Sequence, residues 1–305
     1  MTFKNVALVG ANGNLGTEVL RALVSAGAFS LTVVRRQSSS SAPAFEREAI
    51  VRIVTVDDEL SLESLKAAFQ DQDAVITCFP LRDPSQHLRI AEAAAAAGVR
   101  RVIPADYGSC DSSSARAQEL VPLFKNKTAV RGRLNELAAS SASGFSWTSI
   151  VCGHFFDWGL RENFLHFDLK TKKADILDDG RYKSSTSTLG RVAEAVVRVL
   201  ELGEETRNKV IFIQSFCVSQ LDVLAALERA TGSKWDATYL DSEAFIKEKK
   251  AKADAGDRAA IEDLVFALGA VDGNWETREG FAMDLLGLKN EDLDEVVKRV
   301  VDSDV

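Results

Sequence analysis

The sequence predicts an α/β fold, a doubly wound parallel sheet of the Rossmann type followed by a smaller mixed α/β lobe. Three observations predict it. Short apolar runs alternate with helix-period segments through the first half of the 305-residue chain, the pattern of a parallel sheet covered by helices. The first apolar run leads straight into a glycine-rich turn and then an amphipathic segment. Beyond about Cys152 that rhythm stops.

Val6-Ala7-Leu8-Val9 is a buried strand, and Leu15, Val19, Leu20, Leu23 and Val24 then fall at helical spacing. Leu31 to Val34 is the second strand, and the serine run Ser38 to Ser41 is a polar loop. Ile50 to Val56 forms the third strand, and the helix after it carries Leu62, Leu65 and Phe69. Ala74 to Phe79 is the fourth. An alanine-rich helix from about Ser85 to Ala97 leads to Val102-Ile103, a further helix covers roughly Lys127 to Ser140, and Trp147 to Val151 is the sixth strand. In the second half, Phe155 to Asp168 is rich in aromatics, Leu189 to Leu202 is an amphipathic helix, and Lys209 to Ile213 is a short strand. Helices follow at Ser219 to Thr231, Ser242 to Lys252, Ala259 to Leu268 and Glu291 to Val301. The expected division is a first domain over 1–152, with segments at about 189–215 packing back on it, and a lobe with C-terminal helices over 153–305.

Composition narrows the function classes. A chain of this length with 46% hydrophobic residues can bury a large core unaided. The four cysteines are scattered without a CxxC pair, which predicts reduced thiols in a cytoplasmic setting rather than a disulfide framework. Histidines and cysteines do not occur at ligand spacing, so no metal site is expected. Met1 to Val9 lacks the pattern of a signal peptide, and no apolar stretch approaches the ~20 residues of a membrane span. A net charge of −8 argues against a nucleic-acid partner.

The segment Gly10-Ala11-Asn12-Gly13-Asn14-Leu15-Gly16 joins the first strand to the first helix. Glycine there serves a tight turn, close approach of backbone to a pyrophosphate, and tight helix–sheet packing. The amides and dipole of the following helix then receive the phosphates. The cofactor set expected is Gly10, Asn12, Gly13, Asn14, Leu15 and Gly16. The second strand ends Val33-Val34-Arg35-Arg36 with no acid until Glu46. Two guanidiniums suit the 2′-phosphate of NADPH; the bland alternative is a solvated basic loop. Asp57, closing the third strand, has two readings, an adenine cap or part of the helix start ahead of Ser61. Phe79 and Pro80, closing the fourth strand, complete the expected set.

Taken with Val102-Ile103-Pro104-Ala105-Asp106-Tyr107-Gly108 and Phe124-Lys125-Asn126-Lys127-Thr128-Ala129-Val130-Arg131, these segments resemble the NmrA-like and isoflavone reductase-like family of atypical short-chain dehydrogenases. The run Gly180 to Gly190 is similar to that family's loop into its next helix. The resemblance implies an NAD(P)-binding domain, a substrate-binding lobe, and an active-site role for Lys127, which also contacts the cofactor. It departs at Asp106-Tyr107, where the family has Glu-Phe, and at His154-Phe155-Phe156-Asp157-Trp158. Tyr107 lies far upstream of Lys127, so the ordinary Tyr-x-x-x-Lys pair is absent.

Lys127, His154 and Tyr107 are the candidate catalytic residues. Lys127 reads either as the active-site lysine or as an exposed first-turn lysine, the latter disfavoured by the helix dipole. His154 reads either as a proton donor or as a buried, satisfied histidine. Phe155, Phe156, Trp158, Phe164 and Phe167 read as a pocket for an aromatic ligand or as plain core. The expected function is NADPH-dependent reduction of a small aromatic or polyketide-like metabolite by a monomer or homodimer. The alternative is an NADP(H)-sensing regulator that reports to a protein partner without turnover.

Overall fold

The apolar runs of the first half become strands because each supplies β-branched and aliphatic side chains bounded by turn residues, and each intervening helix turns an apolar face to them. The computed structural model describes residues 3–39 and 51–303; Met1, Ser40, Ser41, Glu46 and Ile50, named above, lie outside them. In chain order the elements are β1 (Asn5–Val9), α1 (Asn14–Ala26), β2 (Ser30–Arg36), β3 (Val51–Val56), α2 (Leu62–Ala68), β4 (Ala74–Thr77), α3 (Pro84–Ala96), β5 (Arg101–Ile103), α4 (Ala115–Leu120), α5 (Pro122–Ser140) and β6 (Ser146–Val151). There follow β7 (His154–Phe155), α6 (Phe156–Arg161), β8 (Phe167–Asp168), β9 (Lys173–Leu177), β10 (Lys183–Ser187), α7 (Leu189–Leu202), β11 (Lys209–Phe212), β12 (Phe216–Ser219), α8 (Gln220–Thr231), β13 (Asp236–Leu240), α9 (Ser242–Asp254), α10 (Arg258–Asp272), α11 (Met283–Leu286) and α12 (Leu293–Ser303).

The chain forms two units. The first comprises 1–107, 123–150 and 192–211, the second 108–122, 151–191 and 212–305. The first holds a seven-stranded sheet in the order β11-β6-β5-β4-β1-β2-β3. Neighbours from β3 through β6 are parallel, in register Val9↔Val34 between β1 and β2 and Val9↔Thr77 between β1 and β4. The chain runs outward from β1 to β3 and then returns to β4. The carboxyl edge between β1 and β4 is therefore the switch point at which such sheets take ligands. Ala7, Val75, Val102, Leu65, Phe69, Ile90, Leu134 and Trp147 form one buried cluster between strands and helices.

Arg101, at the start of β5, is fully buried. Its guanidinium donates to Ser146 Oγ (2.9 Å), Thr148 Oγ1 (2.8 Å), Thr206 Oγ1 (2.9 Å) and the Gly203 carbonyl (2.7 Å). Desolvation pushes its pKa down to about 10.

The second unit contains two three-stranded sheets, β12-β10-β7 and β13-β9-β8. Phe156, Phe167, Ile176, Leu227 and Val297 meet in its core. Phe156 and Phe167 thus take the plain-core reading rather than the pocket reading. Ser219 caps α8 in a reciprocal capping box with Asp222. No helix among the described residues is long and apolar enough to cross a membrane.

One boundary matters for chemistry. The helix expected from Lys127 begins at Pro122, since proline lacks the N–H that a first helical position leaves unused anyway. Lys127 is consequently not a first-turn lysine, and its side chain is 7% exposed.

Candidate active site

Beta-strand β1 delivers the glycine loop to the switch point. Gly10 has φ +90°, and a Cβ there would stand 2.9 Å from the Cys78 carbonyl carbon, in the segment leaving β4. A Cβ on Gly16 would stand 1.9 Å from the Gly10 carbonyl oxygen. Both glycines are required because backbone packs on backbone, which no rotamer can relieve. Gly13 is the N-cap of α1; it offers no side chain to the first-turn amides, and no acid lies in that turn. Asn12 and Asn14 are exposed beside it, whereas Leu15 is buried and anchors the helix. This cradle suits a pyrophosphate, whose charge the helix terminus attracts.

Arg35 and Arg36 are the last residues of β2, half-buried and exposed respectively. An acid reaches this end through space: Asp58, just past β3, accepts from the Ser38 amide at 2.8 Å. Hydrogen bonds from Ser38, with a smaller contribution from Arg36, hold the Asp58 carboxyl below its ordinary range. Asp57 accepts from the Ser61 amide (2.9 Å) and Ser61 Oγ (2.5 Å). Those contacts lower its pKa and favour the helix-start reading, because Ser61 is the N-cap of α2. Phe79 stacks on His87 with centroids 4.2 Å apart, and Pro80 beside it is exposed. Burial pushes the pKa of His87 down to about 4.

After β5 the chain turns tightly. The Asp106 amide donates to the Pro104 carbonyl at 2.8 Å, and Tyr107 adopts φ +34°. A tyrosine in that region carries strain, which surrounding contacts must over-determine. The Tyr107 hydroxyl lies 3.8 Å from Cys78 Sγ; burial raises that thiol's pKa to about 12, against a smaller lowering by Tyr107.

The same turn presents Asp106, which is 4% exposed. Its Oδ2 accepts from Arg131 Nε and Ser149 Oγ in two short contacts. Its Oδ1 stands 3.9 Å from Lys127 Nζ. Lys127 and Arg131 share one face of α5 because they are four residues apart, and Ser149 comes from β6. Lys127 Nζ also lies 5.6 Å from the Phe124 ring centroid. Sequence reasoning named Lys127 and Tyr107 but missed Asp106, Arg131 and Ser149. The one local signal was the i, i+4 spacing of the two cations.

His154 lies in the second unit, on β7, 6% exposed. Its Nε2 is 3.2 Å from the Val265 carbonyl oxygen, which can only accept, so Nε2 carries the proton. Desolvation pushes its pKa down to about 4, against a smaller raising by that carbonyl. The ring meets Phe164 edge-on at 5.7 Å and stacks on Phe266 at 6.2 Å. Trp158 packs on Phe164 at 5.4 Å. Of the two readings of His154, this environment is that of the buried, satisfied histidine.

The NmrA-like family profile matches residues 2–273. The chain belongs to the NmrA-like family. It is 32% identical to the oxidoreductase aprR of Aspergillus flavus over 99% of both chains. To the oxidoreductase poxI of Penicillium oxalicum it is 31% identical, over 95% of this chain and 92% of the relative. The solved structure of AtPrR2 with NADP+ and (+)-pinoresinol superposes with a TM-score of 0.78 at 19% identity, covering 98% of this chain and 99% of that one. The last comparison establishes the shared fold of this NmrA-like protein, whose glycine loop and Lys127 belong to one unit.

Proposed function

We propose that this protein is an NADPH-dependent reductase of a small aromatic or polyketide-like metabolite. The observation that carries the reading is a buried lysine, Lys127, in the unit that also holds the glycine cradle. Its ammonium stands 3.9 Å from Asp106 Oδ1, and a buried positive charge in such a unit supports a developing anion. The oxidoreductase names of aprR and poxI support the same reading.

In it, Gly10, Gly13 and Gly16 cradle the pyrophosphate, with Asn12, Asn14 and Leu15 completing the loop. Arg35 and Arg36 take the 2′-phosphate, and Phe79 and Pro80 stand beside the nucleotide. When bound, NADPH supplies a hydride to an electrophilic carbon of the substrate. Lys127 stabilises the oxyanion or enolate left by that transfer and returns a proton to it. Tyr107 adds a hydroxyl for substrate orientation. His154, in the second unit, is not taken as the proton donor, because it is neutral near pH 7 and its Nε2 proton is committed to Val265.

The test is turnover of NADPH with an isoflavone, a lignan and an anthraquinone by wild type and Lys127→Ala. The variant is expected to lose about 10²-fold or more in kcat with its melting temperature retained. Tight NADPH binding with no turnover of any probe would favour the regulator instead. Unchanged kcat in Lys127→Ala would remove the lysine from the mechanism.

A further inference from the structure

We infer that His87 is a positioning residue for the cofactor: it fixes the Phe79–Pro80 turn that forms one wall of the nucleotide site. The inference rests on the cofactor half of the reductase reading, and its geometry lies wholly within the first unit. The turn leaves β4 at the switch point and backs directly on the glycine loop, since a Cβ on Gly10 would stand 3.0 Å from the Phe79 amide nitrogen. Phe79 is half-buried and Pro80 exposed, so the turn offers apolar surface beside the cradle. Its backbone has little freedom left to fix. The Pro80 ring sets its own φ and confines Phe79 to extended conformations. The main soft angle that remains is ψ of Pro80, which decides where its carbonyl points.

That carbonyl accepts from the Arg82 amide at 2.9 Å and from His87 on α3. His87 Nε2 is buried with no hydrogen-bond partner among the described residues, so the donor is Nδ1–H. The same ring stacks on Phe79 with the two planes 24° apart. One imidazole thus holds two consecutive residues, the first by its face and the second by its edge. Packing alone does not call for a histidine here. A phenylalanine would fill the site without burying a bare Nε2, and an acceptor buried without a donor costs free energy. What the histidine brings that phenylalanine lacks is the Nδ1 donor, and that donor goes to Pro80. Asp83, the N-cap of α3, spends both carboxylate oxygens on Ser85 and acts on His87 through charge alone. Holding a recognition surface in its bound geometry beforehand raises affinity by lowering the cost of ordering it.

Two variants separate the ring from the donor. His87→Phe keeps the stack and loses the donor; His87→Asn loses the ring and keeps an amide donor near the place of Nδ1. NADPH is titrated by fluorescence well below the melting temperature of each protein, and melts are run without ligand. His87→Phe is expected to melt within a few degrees of wild type and to bind NADPH about three- to tenfold more weakly, the worth of one neutral hydrogen bond. His87→Asn should melt several degrees lower yet bind NADPH within about twofold of wild type. A role in packing alone predicts the opposite pattern, with His87→Phe binding as wild type does. The imidazole 15N resonances of ligand-free wild type, assigned by their loss in His87→Phe, should show the proton on Nδ1 and a bare Nε2. If His87→Phe does not fold, His87→Leu, also apolar and without a donor, takes its place. Wild-type NADPH affinity in the variant without a donor, or a proton found on Nε2, overturns the inference. A wild type that binds no NADPH removes the cofactor reading, and the inference falls with it.

Discussion

Alanine at two glycines of one loop separates what the fold needs from what a ligand needs. A Cβ on Gly16 would lie 1.9 Å from the Gly10 oxygen and 2.8 Å from its carbon. The helix must then retreat by roughly 1 Å, a displacement that costs about a hundredfold wherever geometry matters. A Cβ on Gly13 meets nothing closer than 3.4 Å, at the Cys78 oxygen, and φ −79° is open to any residue. Gly13→Ala should therefore cost at most about 1 kcal/mol, the difference between Gly and Ala as an N-cap. A pyrophosphate seated on the first-turn amides would meet that methyl group. Losing one charge-assisted hydrogen bond of about 1.5–3 kcal/mol weakens NADPH roughly ten- to hundredfold. The assay is NADPH titration by fluorescence, with thermal melts in the absence of ligand. Gly16→Ala should lose stability and binding together, and Gly13→Ala binding alone. Wild-type NADPH affinity in Gly13→Ala would refute the placement of the pyrophosphate.

Arg35→Ala combined with Arg36→Ala should erase a preference for NADPH over NADH of at least about tenfold; equal wild-type affinity for the two cofactors defeats the 2′-phosphate assignment. His87 and His154 each have a pKa pushed down from 6.5 to about 4 by burial. The unfolded chain thus binds these protons first as pH falls, so stability is intact above pH 6.5 and lost progressively toward pH 4, by about 3 kcal/mol per histidine. Urea unfolding at pH 7 and pH 5 checks this, and a flat response between them contradicts the buried, neutral assignment. Arg101→Ala should destabilise by about 3–5 kcal/mol, since it opens a cavity and strips four hydrogen bonds from the base of the sheet; a loss below about 1 kcal/mol means the guanidinium's desolvation cancels its bonds.

Most of the first unit was legible because its signals are local. Val6 to Val9, the glycines and the period of Leu15 to Val24 sit side by side in the chain, and each supports the others. The second unit was not, because strands such as His154–Phe155 and Phe167–Asp168 are two residues long, too short to carry a period of two. Within the candidate site, Lys127 was singled out by motif, whereas Asp106 acquires meaning only when Arg131 and Ser149, 25 and 43 residues distant, reach it. Asp58 escaped for the same reason, since it reaches the end of β2 from beyond β3, through Ser38 and Arg36. Arg101, beside the short strand Val102-Ile103, carries no local signal of its role. Its burial depends on Gly203 and Thr206, about a hundred positions downstream.

The first unit is discontinuous, and this bears on how the protein emerges from the ribosome. Its sheet is closed on one side by β11, made of residues 209–212, while the segment before α7 belongs to the other unit. A nascent chain of some 150 residues has already made β1 to β6, yet exposes β6 as a bare edge and holds Arg101 without half its partners. Domains ordinarily fold as they are synthesised, but this one must wait for about sixty further residues, which at 5–20 residues per second is roughly 3–12 seconds. During that interval the unpaired edge is a template for wrong pairing. A fragment ending near residue 152 is therefore expected to be a substrate for chaperones rather than a usable nucleotide-binding module.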